Sequence, residues 1–191
     1  SEMCIRDRSK LYEAVRATMQ DSIKQIIAQQ GFKRSQIQIL DALLKLRQVC
    51  CHPSLLNLDS LPKGKSAVKS KAMHSAKLDY LIQTVTDMVA EGRKVLIFSQ
   101  FTSMLALIEQ RLQSENIGFS KLTGKTKKRS EAVEAFQSGQ VPVFLISLKA
   151  GGVGLNLTTA DTVIHYDPWW NPAAEDQASD RAWRIGQDKP V

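Results

Sequence analysis

The chain has 191 residues, of which 43% are hydrophobic, and a formal net charge of +7 at pH 7. This length suffices for one full domain and a smaller element, and the composition is typical of a globular protein. No apolar run approaches the ~18 to 20 residues that cross a bilayer, and the first residues lack the apolar segment of a signal peptide. We therefore expect an intracellular protein of the cytoplasm or nucleoid, or of the nucleus in a eukaryote.

The basic residues are concentrated in the first part of the chain. Residues 1–72 contain 13 Lys and Arg against 6 Asp and Glu, whereas residues 73–191 contain 13 of each kind. The first part therefore carries the whole excess of positive charge. Such an excess favours contact with a polyanion such as nucleic acid, and it is equally consistent with a solubilising charged surface.

The three cysteines do not form a recognisable framework. They are Cys4, Cys50 and Cys51, an odd number without CxxC spacing. A bridge between neighbouring cysteines would be strained, and His52 does not complete a four-ligand zinc set. The sequence therefore predicts buried free thiols in a reducing compartment and no metal site.

The first 72 residues predict a helical element followed by a linker. Residues 1–8 show no periodicity, and we interpret them as a non-native or disordered leader. Apolar residues recur at helical spacing within 9–56, which predicts two helices, the first ended by Gly31 and the second capped by Ser35. Residues 57–72 are rich in Pro, Gly, Ser and Lys, which is typical of a basic linker or loop.

The linker contains an incomplete phosphate-binding sequence. Gly64-Lys65-Ser66 matches the last three positions of a P-loop, GxxxxGK[ST], but Asp59 occupies the position of the first glycine. No buried strand precedes it either. Because a phosphate cradle needs both features, we predict no P-loop here.

Residues 73–191 alternate helices with short apolar strands, which predicts an α/β domain with a parallel sheet flanked by helices. We expect strands at 95–98, 119–122, 143–146 and 162–166. Helices are expected between Ser75 and Gly92 and at 102–115, 129–137 and 173–184. In such sheets ligands bind beyond the carboxyl ends of the strands. The loops at that edge are rich in polar and glycine residues and comprise 99–101, 122–124, 147–154 and 167–172.

Two of these loops have unusual compositions. In LKAGGVGLNLT (148–158) the glycines can expose N–H groups to an anion, or they can form a tight strand-to-helix turn. The dinucleotide pattern GxGxxG fails because Leu157 occupies its third glycine position. In DPWWNP (167–172) the tryptophans can stack on bases, or they can fix the loop to the core.

The predicted last helix presents two arginines on one face. Gln177, Arg181 and Arg184 are spaced by four and three residues, which places them side by side on a helix. The guanidinium fork suits phosphate oxygens, so the pair could act as arginine fingers in phosphoryl transfer. Surface salt bridges to nearby aspartates explain the pair equally well.

Taken together, these segments resemble the C-terminal helicase lobe of Swi/Snf-type ATPases, which are DNA translocases of helicase superfamily two. The resemblance covers residues 9–191 and rests on segments in the order of the family: LRQVCCHPSLL (46–56), KVLIFSQF (94–101, motif IV), LTGKT (122–126), LISLKAGGVGLNLTTADTVIHYDPWWNP (145–172, motif V) and EDQASDRAWRIGQ (175–187, motif VI). It implies a RecA-like fold for residues 73–191, with the helices of 9–56 as a protrusion. Trp183 departs from the pattern, where we would expect histidine.

The resemblance also implies roles for individual residues. The catalytic set would be Arg181, Arg184 and Gln177. Contacts with ATP would come from Gly152, Gly154 and Asn156. Contacts with DNA would come from Ser99, Gln100, Thr123, Gly124, Lys149, Gly151 and Trp169.

The chain lacks a P-loop and a DExH sequence, which in this family belong to the first lobe. The resemblance therefore implies a fragment, truncated at its C-terminal end, whose ATP and Mg²⁺ are bound mainly by a separate N-terminal RecA-like lobe. The isolated chain is expected to be inactive. The intact protein would hydrolyse ATP, move along double-stranded DNA and remodel a DNA-bound protein complex. Two alternatives remain, a non-enzymatic nucleic-acid-binding module and a Rossmann-type nucleotide enzyme; the latter lacks its third glycine and an acidic ribose ligand.

Overall fold

Helices and strands alternate along most of the chain in the computed structural model, which describes residues 2–52, 55, 75–150, 155–167 and 176. Contacts divide the chain into two units, residues 1–79 and 80–191. No helix within the described ranges has the length and apolarity needed to cross a bilayer.

The first unit contains a pair of helices, α1 (Glu2–Gln30) and α2 (Phe32–Cys51). Val15 of α1 and Val49 of α2 form its buried centre, and the partly buried residues packed around them are Leu11, Tyr12, Met19 and Leu46. Gly31 joins the helices with φ 75°, a conformation that glycine adopts without steric cost. The predicted helix end at Gly31 is thus confirmed. The start was expected at Ser9, but the helix begins at Glu2, because residues 2–8 contain no proline or glycine to stop it.

Two predictions for α2 were wrong. Ser35 does not cap the helix: α2 begins three residues earlier, and the buried Ser35 hydroxyl donates to the Gly31 carbonyl (2.8 Å) from inside the helix. Neither Cys50 nor Cys51 forms a disulfide, but of these two thiols Cys51 is buried and Cys50 is exposed. The helix also exposes large apolar side chains, namely Phe32, Ile37, Leu40, Leu43 and Leu44.

The second unit is built on a four-stranded parallel sheet. Its strands are β1 (Val95–Ser99), β2 (Phe119–Leu122), β3 (Val143–Ser147) and β4 (Thr162–His165), in the spatial order β2-β3-β1-β4. The two central strands, β1 and β3, are buried along their whole length. Such burial on both faces explains their continuous apolar sequences. The predicted fold class is confirmed.

Helices cover both faces of the sheet. α3 (Ala76–Ala90) follows Ser75, whose hydroxyl accepts the Leu78 N–H (3.4 Å), and it ends before Gly92. α4 (Thr102–Ser114) packs on β1 and β3. α5 (Arg129–Gln137) lies on the other face, where Phe136 joins side chains of the three strands β1, β2 and β3 in one apolar cluster. These boundaries confirm the predicted ones to within one or two residues.

The connections after β1 and β3 leave these neighbouring strands in opposite directions. The chain leaves β1 towards β2 at one border of the sheet, whereas it leaves β3 towards β4 at the other. Parallel sheets of this class bind ligands beyond the carboxyl ends of strands arranged in this way.

The opposite, amino-terminal edge of the sheet is closed by a buried aspartate. Asp161 is 6% exposed and accepts the Lys94 N–H (3.2 Å) and the Thr162 hydroxyl (3.0 Å) on the same oxygen. The Arg93 guanidinium lies 3.6 Å from it. Thr162 is the first residue of β4, and Arg93 and Lys94 directly precede β1. Asp161 therefore connects the starts of two adjacent strands.

Candidate functional site

The parallel register places four strand ends side by side at the carboxyl edge. Ser99 is paired with Ser147, Leu122 with Ile146, and Phe98 with His165. The loops predicted to converge there therefore leave from one edge, as expected for a parallel sheet. The described parts of these loops supply the candidate site.

Ser99 and Asp167 form a buried junction at this edge. The Ser99 hydroxyl donates a close hydrogen bond to Asp167 Oδ1, and the Gln100 N–H donates to Asp167 Oδ2 (3.0 Å). The Phe101 N–H donates back to the Ser99 hydroxyl (3.1 Å). Ser99 and Asp167 are 0% and 1% exposed, so these bonds are shielded from water and correspondingly strong.

The junction also includes the loop after β3. The Leu148 N–H donates to the Ser99 carbonyl (3.1 Å), and the Ala150 N–H donates to the Ser147 carbonyl (2.9 Å). Lys149, between these two anchored residues, is exposed. The backbone bonds thus hold this loop against β1 while its lysine faces solvent.

Gln100 is held by its backbone but not by its side chain. Its amide nitrogen is enclosed and has no hydrogen-bond partner among the residues that the structure describes. An enclosed donor without an acceptor costs about 1–3 kcal/mol, which favours a rearrangement that brings an acceptor to it.

The loop after β2 is a tight turn that presents a cluster of cations. The Thr123 N–H donates to the Thr126 hydroxyl (2.9 Å), and the Thr126 N–H donates to the Thr123 carbonyl (3.1 Å). Thr123 is itself buried, and Gly124 is exposed. The exposed cations that follow, which we call the β2 cation loop, are Lys125, Lys127, Lys128 and Arg129. Within the described ranges Lys128 forms a solvent-exposed pair with Glu131 (2.9 Å), and such pairs contribute little.

The segment after the glycine loop is fixed by α5. The Gln137 side chain donates to the Asn156 carbonyl (3.0 Å) and accepts the Thr159 N–H (3.2 Å). The Gln137 carbonyl accepts the Thr159 hydroxyl (3.4 Å). Asn156 is exposed, so its side chain remains accessible next to the predicted nucleotide loop.

The structure brings together part of the predicted site. Gln100, Thr123, Gly124 and Lys149 belong to loops of the same unit that follow the strand ends. Asn156 does not join them: its carbonyl accepts the Gln137 side chain at the end of α5, on the side where β3 begins. Ser99 lies there too, but its burial directs its side chain to the junction rather than to solvent. Outside the described residues lie Gly151, Gly152, Gly154, Trp169, Gln177, Arg181 and Arg184. Asp176 is helical, in agreement with the predicted last helix.

Sequence reasoning missed four residues of this region. The β2 cation loop contributes Lys125 and Lys127, which the basic run KTKKR could have revealed. Asp167 and Gln137 act through contacts with residues far along the chain, and no local pattern predicts them. Within the described ranges, no group of three or more His, Cys, Asp or Glu side chains could hold a metal ion.

Comparison with known proteins identifies the family. Residues 76–186 match the helicase conserved C-terminal domain. The Sulfolobus solfataricus SWI2/SNF2 ATPase core in complex with double-stranded DNA superposes with a TM-score of 0.72 at 34% identity, covering 97% of this chain and 37% of that one. The C-terminal domain of the same archaeal ATPase superposes with a TM-score of 0.68 at 34% identity, covering 88% and 70% of the two chains.

A human relative supports the same assignment. The SWI/SNF-related matrix-associated actin-dependent regulator of chromatin subfamily A member 1 is 37% identical over 163 residues, which cover 83% of this chain and 16% of that protein. The curated relatives that match are long, and the chain spans between 15% and 19% of their length. The unit built on the four-stranded parallel sheet is therefore a RecA-like lobe. The chain belongs to the helicase conserved C-terminal domain family and is the C-terminal domain of a SWI2/SNF2-type ATPase.

Proposed function

We propose that this chain is the second lobe of an ATP-dependent translocase that moves along double-stranded DNA and remodels DNA-bound protein complexes. In this proposal the carboxyl edge of the sheet grips the DNA backbone, and the last helix supplies arginines to ATP held by an N-terminal RecA-like lobe. The observation that carries the proposal is the gathering of the motif IV loop, the β2 cation loop and the motif V loop at one edge.

The charge of this edge supports contact with a phosphate backbone. Lys125, Lys127 and Lys149 are exposed on two loops that leave neighbouring strands. Lysine and arginine side chains that neutralise phosphates release counterions, so binding depends steeply on salt and little on sequence. Backbone contact of this kind suits a motor that must hold any DNA sequence.

Polar groups on the same loops would complete the grip. Gln100 has an unpaired amide nitrogen that a phosphate oxygen could satisfy once the loop rearranges. Gly124 is exposed, and a Cβ there would meet nothing within 4 Å, so a backbone could approach it closely. Thr123, Gly151 and Trp169 are assigned to the DNA contact by the family pattern, with the indole available for stacking.

The residues present fit a polyphosphate as a ligand of this edge. The loops carry exposed cations, and the exposed Asn156 follows the glycine loop that contains Gly152 and Gly154. We assign these three residues to ATP contact. ATP bound with Mg²⁺, mainly on the N-terminal lobe, would supply the phosphoryl group whose transfer drives the motor.

Arg181 and Arg184 would act as arginine fingers, with Gln177 beside them. Two guanidinium groups on one helical face can donate several hydrogen bonds to phosphate oxygens that gain charge in the transition state. Such a finger raises turnover by roughly 10³ to 10⁵. The residues would need closure of the two lobes to reach ATP, which explains why the proposal requires both lobes for activity.

The proposal is tested by ATP turnover in the two-lobe protein with and without duplex DNA. We expect DNA to stimulate the wild type, and we expect Arg181→Ala and Arg184→Ala each to lower turnover by about 10³-fold or more while ATP binding persists. Arg93→Ala is the matched control, because Arg93 lies at the opposite edge of the sheet. Wild-type turnover in both finger variants, or turnover that ignores DNA, would overturn the proposal. DNA binding without any ATP turnover would favour the non-enzymatic binding module.

A further inference from the structure

Three loops of the second unit meet at one buried serine. The Ser99 hydroxyl donates to Asp167, the first residue of DPWWNP, and the Ser99 carbonyl accepts the Leu148 N–H (3.1 Å) from the motif V loop. The loop after β1, the motif V loop and the segment after β4 are therefore connected through this residue. We call Ser99 and Asp167 the junction.

Both carboxylate oxygens of Asp167 are bound by residues of a loop that is distant in sequence. Its two oxygens accept bonds from Ser99 and Gln100, which precede it by 68 and 67 residues. A buried carboxylate is costly unless it is hydrogen-bonded, so these two bonds fix where the chain leaves β4. The bonds connect two loops and do not shape a local turn.

Asp161 shows what a purely structural aspartate looks like in the same sheet. It is similarly buried, at 6% exposed, and it also accepts an N–H and a hydroxyl. Both partners, however, flank the starts of adjacent strands, at the amino-terminal edge of the sheet. Asp161 thus provides a matched control for the chemistry of Asp167.

We propose that Asp167 is a positioning residue that transmits DNA contact at the β1 and motif V loops to the arginines of the last helix. This inference rests on the proposed function and adds a coupling element to it. Asp167 begins the segment that leads to Arg181, while Ser99 and Gln100 belong to the loop predicted to contact DNA. A displaced loop would therefore displace the segment that leads to the arginines.

The coupling is expected to act on turnover rather than on ATP affinity. A shift of about 1 Å in a positioning element can cost 10²-fold in rate. Without DNA there is no contact for the junction to transmit, so the junction would matter little. With DNA bound, an intact junction would favour the placement in which the arginines reach the phosphates.

The test compares Asp167→Asn with Asp161→Asn in the two-lobe protein. Asparagine keeps the size and one acceptor oxygen, but its amide nitrogen cannot accept the second bond. For Asp167→Asn we expect DNA-stimulated kcat to fall about tenfold or more, while turnover without DNA and the KM for ATP stay within about twofold. Asp161→Asn should keep the wild-type ratio of stimulated to unstimulated turnover.

Ser99→Ala provides an independent variant, because it removes one bond to Asp167 and leaves the Gln100 N–H in place. We expect a smaller loss of DNA stimulation, and no additional loss when it is combined with Asp167→Asn, since both changes act on the same junction. If Asp167→Asn does not fold, the DNA stimulation of Ser99→Ala decides the question.

The outcomes separate this inference from the proposed function. A wild type without DNA-dependent turnover would overturn both. A stimulated wild type whose stimulation survives in folded Asp167→Asn and Ser99→Ala would overturn only the positioning role. An equal loss of stimulated and unstimulated turnover in Asp167→Asn would assign the residue to folding alone and would also overturn it.

Discussion

Each edge of the sheet contains a buried aspartate, and the two aspartates bind different kinds of partner. At the amino-terminal edge, Asp161 joins residues that flank adjacent strand starts. At the carboxyl edge, Asp167 joins the loop after β1 to the segment after β4, both of which we propose to contact DNA. Burial and hydrogen bonding alone therefore do not distinguish the structural Asp161 from Asp167, for which we propose a positioning role. The two aspartates differ in their partners: those of Asp161 flank strand starts, whereas those of Asp167 lie at the end of β1 and in the loop that follows.

The same contrast holds for the cations at the two edges. Lys94 donates to the Gly139 carbonyl (3.4 Å), and Arg93 lies beside Asp161, so both are engaged with the protein. In the β2 cation loop, Lys125 and Lys127 are exposed. Exposed cations are more accessible to a polyanion than cations that contact the protein. The comparison can therefore be tested by removing lysines from either edge.

The largest effect in this comparison is expected from the β2 cation loop. Replacing Lys125 and Lys127 together by alanine should weaken the binding of duplex DNA on the order of tenfold and reduce the slope of log K against log salt by about 0.9 for each lost phosphate contact. The measurement is a fluorescence anisotropy titration of the two-lobe protein over a range of salt concentrations.

Lys94→Ala is the control for the lysine experiment. It removes a lysine from the amino-terminal edge, where its ammonium contacts Gly139. We expect its DNA affinity and salt slope to match the wild type. An equal loss in Lys94→Ala and in the double variant would show that net charge, rather than the carboxyl edge, determines DNA binding.

A smaller effect is expected from Gln137, which fixes the segment after the glycine loop. Gln137→Ala removes two side-chain bonds, to the Asn156 carbonyl and the Thr159 N–H. Each such bond contributes about 0.5–1.5 kcal/mol, so we expect the Thr159 amide to exchange hydrogen several-fold faster. Amide exchange followed by NMR measures this directly.

Gln140→Ala is the matched control, because Gln140 is an exposed glutamine just beyond the end of α5. Its substitution should leave the Thr159 amide unchanged. If Gln137→Ala also leaves this amide protected, the segment is held by its own turn and α5 does not position it.

Much of the sheet was predictable because its signals are local. The continuous apolar run at 95–98 predicts a strand buried on both faces, and the structure confirms β1 there. Gly92 and Gly139 follow helices with φ of 77° and 83°, where glycine is favoured, and both ends were predicted. The convergence of the loops on one edge followed from the parallel alternation of helices and strands.

The rest depends on contacts between residues far apart in sequence. The Ser99–Asp167 bond joins positions 68 residues apart, and a sequence pattern contains no signal for such a pair. The resemblance implied a DNA contact for Ser99, whereas the structure buries its side chain against Asp167. Ser35 was misassigned for a different reason: Gly31 alone separates the helices, so α2 starts before the serine.

Hydrogen–deuterium exchange of the two-lobe protein, with and without duplex DNA, tests the central claim most directly. It compares peptides from the carboxyl edge, covering 100–101, 123–129 and 148–150, with peptides from the amino-terminal edge, covering 91–94, 138–142 and 159–162. We predict that DNA protects the first set and leaves the second unchanged. Protection confined to the amino-terminal edge, or no protection at saturating DNA, would contradict the assignment of the carboxyl edge as the DNA-binding surface.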